Sequence, residues 1–249
     1  MPLIILIPLL STLTTFLLTP FTINLAKKFK LIDDPKIRPH PAHTHKGSIP
    51  RGGGLPLFIG IFLPFLILFP FQGPIVGIFL SASILIAVGL WDDRKDRSPY
   101  IRFLINCVVA LIVISAGIRI PYITNPFGGI ISLESWQITF GNTANEQIFI
   151  LADFIAFIWI VWTMNIVGWS GGVDGQLPGF VAISSLIIGI LSLRFASLDQ
   201  KQLYVTYLSF ATTGAFIGFL PWNFYPQKIM PGYGGKTLAG FMLAVLSIL

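Results

Sequence analysis

The sequence predicts an all-α, polytopic transmembrane helical bundle in one integral-membrane domain, residues 1–249. Three observations carry this. Charged residues make up only 10% of the chain and hydrophobic residues 54%, whereas a soluble domain carries roughly 25% charged residues. Mean hydropathy is +0.82. Charge is also segregated: neither Met1 to Ala26 nor Gly52 to Trp91 contains an Asp, Glu, Lys or Arg. The runs show no strand-type alternation, which favours helices over a barrel.

The first run, Met1 to Ala26, is long enough to span and lacks the basic start and small-residue cleavage site of a signal peptide. A basic loop follows at 27–51, holding His40, His43 and His45, whose spacing fits no closed zinc site. Helices are expected over about Leu55–Phe69, Ile75–Trp91, Tyr100–Gly117, Ile148–Val167, Leu177–Phe195 and Gln202–Leu220. Residues 118–147 are turn-rich and alternate in part, which suggests a short hairpin outside the bilayer. An eighth run begins at Thr237 and is 13 residues long at Leu249, too short to span. The expectation is therefore seven full spans, a truncated eighth and a C-terminally truncated piece of a longer protein. The one cysteine, Cys107, lies inside an apolar run and reads as filler.

Orientation follows from charge. With the basic loop in the cytoplasm, alternate loops fall on the same side, and that side holds 13 of the 16 lysines and arginines. This places the N-terminus outside. It also explains the net charge of +6 without nucleic acid.

Three unusual loops join the basic loop on that face. Gly89-Leu90-Trp91-Asp92-Asp93-Arg94 sets two adjacent carboxylates at the end of an apolar helix, where the macrodipole disfavours anions. The next helix has its own start in Ser98-Pro99. Asp92 and Asp93 are either a solvated charged turn or a site for a hard cation or phosphate. The segment His45 to Gly54 combines Lys46, Arg51 and three glycines, as a juxtamembrane flank or an anion site. Asn165 to Gly179 carries Asp174 between glycines, placed either to accept hydrogen bonds from a nucleotide or to cap the next helix. Lys228 to Lys236, with Tyr233, is a basic, glycine-rich turn before a helix, a setting that receives phosphates.

In this order the four segments resemble the polyprenyl-phosphate sugar-1-phosphate transferase family (glycosyl transferase family 4). That family includes phospho-N-acetylmuramoyl-pentapeptide transferases and undecaprenyl-phosphate N-acetylglucosamine-1-phosphate transferases. His45 to Gly54 is similar to its H-x-G-x-I-P-R-x-G-G segment, Gly89 to Asp93 to G-x-x-D-D, and Asn165 to Gly179 to N-x-x-N-x-x-D-G-x-D-G-L-x-x-G. Gly232 to Leu243 is similar to G-D-S-G-S…G-F-x-L. Three positions depart: Gly168 stands where the family has Asn, Gly171 where it has the first Asp of D-G-x-D-G, and Tyr233 where it has an Asp that helps hold Mg²⁺.

The resemblance implies a transferase at the cytoplasmic face of the bacterial plasma membrane. It passes a sugar-1-phosphate from a UDP-sugar to a polyprenyl (undecaprenyl) phosphate and releases UMP. Asp92 and Asp93 are the implied catalytic and Mg²⁺-holding residues. Lys46, Arg51, Asn165, Asp174, Tyr233 and Lys236 are the implied substrate-binding residues. The expected partners are the two substrates and membrane lipid, with a homodimer left open. A catalytically degenerate lipid-phosphate-binding protein of the same fold is the alternative. A transporter is the weaker rival, since no internal repeat is seen.

Overall fold

The structure, a computed structural model, describes residues 2–35, 47–71, 73–139, 147–199 and 201–249. Eight α-helices are present among them: α1 (Pro2–Lys28), α2 (Gly54–Leu68), α3 (Pro74–Lys95), α4 (Pro99–Ser115), α5 (Ile150–Trp169), α6 (Gln176–Phe195), α7 (Lys201–Asn223) and α8 (Gly232–Ile248). Three two-stranded antiparallel ribbons complete the described chain: β1 (Ile32–Asp33) with β2 (Ile49–Pro50), β3 (Tyr122–Thr124) with β4 (Ile130–Ser132), and β5 (Gln137–Thr139) with β6 (Gln147–Phe149). The single hairpin expected outside the bilayer is thus two, β3–β4 and β5–β6.

Five helical stretches are long and apolar enough to cross a membrane: Leu3–Lys28, Pro74–Lys95, Ile150–Gly172, Gln176–Phe195 and Lys201–Asn223. α2 and α4 are apolar but shorter, at 15 and 17 residues. A multi-pass helical membrane protein is clear, and five of the seven expected full spans are long enough by this measure.

Successive helices reverse, so two ends form. The basic end gathers the C-termini of α1, α3, α5 and α7 and the N-termini of α2, α4, α6 and α8. Backbone bonds lace it together: Gly53 N donates to Met230 O (3.1 Å), Gly54 N to Pro231 O (2.9 Å) and Met230 N to Pro50 O (2.8 Å). At the other end, Gly73, Gly117, Lys201 and Leu249 line one cavity, and the β3–β4 and β5–β6 ribbons cover that side.

The helix expected to be a remnant is the centre of the bundle. α8 packs on α2, α3, α5 and α6, and nearly every residue from Gly232 to Leu246 is buried. It begins at Gly232 rather than Thr237, so Gly-Tyr-Gly-Gly-Lys is its first turn and not a loop. Lipid tails give no hydrophobic drive between helices, so close backbone approach replaces it. A Cβ on Gly89 would collide with the Cα of Gly234, so α3 and α8 touch main chain to main chain. The outer helices contrast with this: α1 exposes Ile5, Leu17 and Phe21, and α6 exposes Ile183 and Ile187.

Candidate active site

The Asp-Asp pair is helical. α3 continues through it to Lys95, four residues beyond the expected end, and Asp96 closes the helix in the left-handed region (φ 49°). Its N–H donates to Asp92 O (2.7 Å). The macrodipole penalty for anions there is only about 0.3–1 kcal/mol. Arg94 and Lys95 in the same turn offset it, and so do two arginines from elsewhere. Ser98 caps α4 as expected, accepting from Tyr100 N (3.4 Å) with Pro99 following.

Both carboxylates are buried, at 0% and 1% exposure. Consecutive helical residues point about 100° apart, and these two face different neighbours. Asp92 turns to α4: its Oδ1 accepts from Arg102 Nε (2.7 Å) and from Arg97 N (3.0 Å). Arg102 Nη2 also donates to Asp96 Oδ1 (2.6 Å). Asp93 turns to β2 and α8: its Oδ1 lies 3.1 Å from Arg51 Nε and accepts from Tyr233 N (3.0 Å). Arg51 reaches Asp33 as well, at 3.8 Å. Gly232, at φ 69°, presents only hydrogen to Asp93, and any Cβ there would collide with Oδ2 of that carboxylate.

Tyr233 uses its hydroxyl on α4. It donates within reach of Arg102 O (3.0 Å) and Asn106 Oδ1 (3.1 Å), and the Arg102 guanidinium lies 5.4 Å from its ring. Lys236, half-buried, lies one turn along α8. A Cβ on Gly171 would stand 2.7–3.0 Å from its Cε, Cγ and Cδ, so its stem lies across the glycine-rich segment after α5. Its ammonium has Arg51, Asp93, Asp33 and Arg102 as electrostatic neighbours.

Asp174 does not cap α6. Gly175 takes the cap position in the left-handed region (φ 73°), and Gly175 N donates to Asn223 Oδ1 (3.2 Å). Asp174 Oδ2 instead accepts from Gln227 N (3.2 Å), which ties the glycine-rich segment to the α7–α8 connection. Asn165 is in the last turn of α5 and donates to Val161 O (2.7 Å), onto its own helix. Lys46 and the three histidines lie outside the described residues.

Arg51, Asp93, Tyr233 and Lys236 therefore meet around one point. Asp92 belongs to an adjacent ion cluster, and Asp174 and Asn165 border the same end without a direct bond to Asp93 among the described residues. Sequence reasoning did not single out Asp33, Arg102, Asn106 or Asn223. Arg102 was visible only as one more basic residue, since nothing in a linear string shows that position 102 reaches back one turn past the α3–α4 turn. Asn106 sits in an apolar run as a lone amide, and that was a usable signal.

Asp92 and Asp93 are the expected Mg²⁺-holding residues, and the donor set around them is short. Each residue keeps one buried oxygen, Oδ2, without a hydrogen-bond partner. Their Oδ1 atoms bond to different arginines, no third Asp, Glu, His or Cys joins the pair among the described residues, and the phenol at 233 bonds to α4. Hard cations prefer converging charged oxygens. Here both carboxylates are held by arginine.

Fold and site together define a multi-pass helical membrane protein with a buried, charged cluster at one end of the bundle. The model described as Glycosyl transferase family 4 matches residues 75–249, and the chain belongs to that family. It is 27% identical over 242 residues to a probable undecaprenyl-phosphate N-acetylglucosaminyl 1-phosphate transferase of Bacillus subtilis, covering 97% of this chain and 61% of the relative. It is 28% identical over 238 residues to the undecaprenyl-phosphate alpha-N-acetylglucosaminyl 1-phosphate transferase of Thermotoga maritima, covering 96% and 63%. A phospho-N-acetylmuramoyl-pentapeptide-transferase of Limosilactobacillus reuteri is 27% identical over 254 residues, covering 96% and 72%. The chain thus spans about three fifths of the first of these relatives.

Proposed function

We propose that the protein carrying this chain transfers a sugar-1-phosphate from a UDP-sugar to a polyprenyl phosphate, releasing UMP, at the cytoplasmic face of a bacterial plasma membrane. The observation that carries this reading is the convergence at Asp93. Arg51 from the segment before α2 and Tyr233 N from the first turn of α8 both bond to one buried carboxylate in the C-terminal turn of α3. These are the segments that resemble the family, and its named relatives act on polyprenyl phosphates.

The chemistry asks for positive charge near two phosphates and for a polar groove beside lipid. Arg51 and Lys236 supply the charge. Asp93 orients Arg51 and the α8 start. Asp174, with one oxygen still uncommitted to Gln227, and Asn165 border the space for the nucleotide and sugar. The exposed apolar faces of α1, α5 and α6 offer the prenyl chain a hydrocarbon surface.

Two experiments test it. Purified full-length protein in lipid should release UMP from UDP-N-acetylglucosamine only when undecaprenyl phosphate is present. Binding of undecaprenyl phosphate without UMP release from any UDP-sugar would instead favour the degenerate lipid-phosphate binder. For topology, cysteines placed at Ser98 and Ser132 in a Cys107→Ser background should label from opposite sides. Labelling from one side would overturn the orientation.

A further inference from the structure

Among the described residues, Lys236 is a half-buried cation at this end without a bonded counter-charge. Arg51 is bonded to Asp93 and Asp33, and Arg102 to Asp92 and Asp96. No hydrogen bond or ion pair reaches the ammonium of Lys236 among the described residues, although Asp93 and Asp33 lie within its field. An unpaired cation held half-buried at a helix start costs solvation, and Asp93 and Asp33, which already serve Arg51, repay it only in part. A bound anion would offset the rest.

The surroundings show how that charge is held. The Lys236 stem fills the space over Gly171 that any side chain there would need. A side chain at 171 would therefore need the Lys236 stem to move aside. On the α4 side, Tyr233 replaces a potential anionic ligand by a neutral phenol whose hydroxyl is already bonded. A site that had two more carboxylates and a divalent cation would be neutral in those three groups. This one carries glycine, tyrosine and lysine, a net of one positive charge. The field offered to an incoming phosphate is more positive by one charge, while Asp92 and Asp93 are the carboxylates left for a metal.

We propose that Lys236, with Arg51, supplies the positive charge for phosphoryl transfer in place of a resident divalent cation, so that transfer proceeds without bound metal. The inference rests on the transfer reaction proposed above. In that step an oxygen of the prenyl phosphate forms a bond to the sugar-side phosphorus of the UDP-sugar. The bond from that phosphorus to the bridging oxygen breaks, and UMP leaves with the bridging oxygen and the electron pair. Lys236 remains protonated throughout. It faces the charge that builds on the bridging and non-bridging oxygens, which is a role for a fixed cation as well as for a metal.

The test uses the full-length protein with two independent readouts. In the first, UMP release is measured in excess EDTA and in Mg²⁺. Wild-type rates should agree within about twofold, and Lys236→Met, which keeps the stem over Gly171, should lose about 100-fold in both conditions. In the second, Mn²⁺ binding is followed by electron paramagnetic resonance without substrate. The Tyr233→Asp/Lys236→Met double variant should bind Mn²⁺ at least about tenfold more tightly than wild type. Wild-type transfer abolished by EDTA and restored by Mg²⁺ would overturn the proposal. So would wild-type Mn²⁺ binding as tight as that of the double variant. If UMP release fails everywhere but the Mn²⁺ contrast holds, the transferase reading falls and the replacement of metal by lysine stands.

Discussion

The two ends of the bundle are built on opposite plans. At the basic end, polar groups are buried and bonded across the chain: Asp93 to Arg51 and Tyr233, Tyr233 to Asn106, Asp174 to Gln227. At the ribbon end, apolar side chains stand in the open: Phe127 is 98% exposed and Trp136 70%. The β3–β4 ribbon closes on itself through Asn125, whose Oδ1 accepts from Phe127 N (3.0 Å) and whose N–H donates to Gly129 O (3.0 Å). Long-range bonds make the basic end a single mechanical unit, and short-range bonds leave the β3–β4 ribbon a local turn. Substitutions should therefore be costly at the first end and cheap at the second.

The largest effect is expected at Gly89. Gly89→Leu forces α3 away from α8 and should cost more than about 4 kcal/mol, read as loss of monodisperse protein after extraction; recovery at normal yield would mean the contact can slip. Asp93→Asn comes next. Asparagine keeps an acceptor for Tyr233 N, so folded protein should be recovered, while turnover falls about 10²–10³-fold. Near-normal turnover would reduce the Asp-Asp segment to a charged turn. Tyr233→Phe leaves Asn106 Oδ1 buried without its donor, and a loss of about 1–3 kcal/mol should appear as a lower Tm. An unchanged Tm would show that the α4–α8 tie is not held by this hydroxyl. Phe127→Ser should stay within about 0.5 kcal/mol of wild type. A larger loss would mean the ribbon end is a packed surface after all and would erase the contrast.

Much of this was legible in the sequence. The apolar runs gave the helices to within a few residues, the Ser98-Pro99 start was right, and charge segregation found the basic end. Arg51, Asp93, Tyr233 and Lys236 were named and do meet. What stayed hidden has physical reasons. The end of α3 was placed too early because the macrodipole argument weighs anions against the helix alone, and the deciding arginines, 51 and 102, are remote in sequence or in the next helix. The start of α8 was placed at Thr237 because its glycines were read as loop; they are what let it sit at the centre. The separate partners of Asp92 and Asp93 stayed hidden for a reason of rotation: neighbours in sequence are not neighbours in direction on a helix.

The main-chain contact between Gly89 and Gly234 has a consequence for how the protein sits in lipid. Side chains can lean and snorkel to adjust their height, but two backbones in contact cannot. Asp93, four residues past Gly89, and Tyr233, beside Gly234, are thus pinned at one depth relative to each other and to both helices. In a thinner or thicker bilayer the cluster will not shift along the helices. The bundle will tilt, carrying the charges with it, so lipid thickness sets the angle at which the site meets the interface and leaves its internal geometry alone.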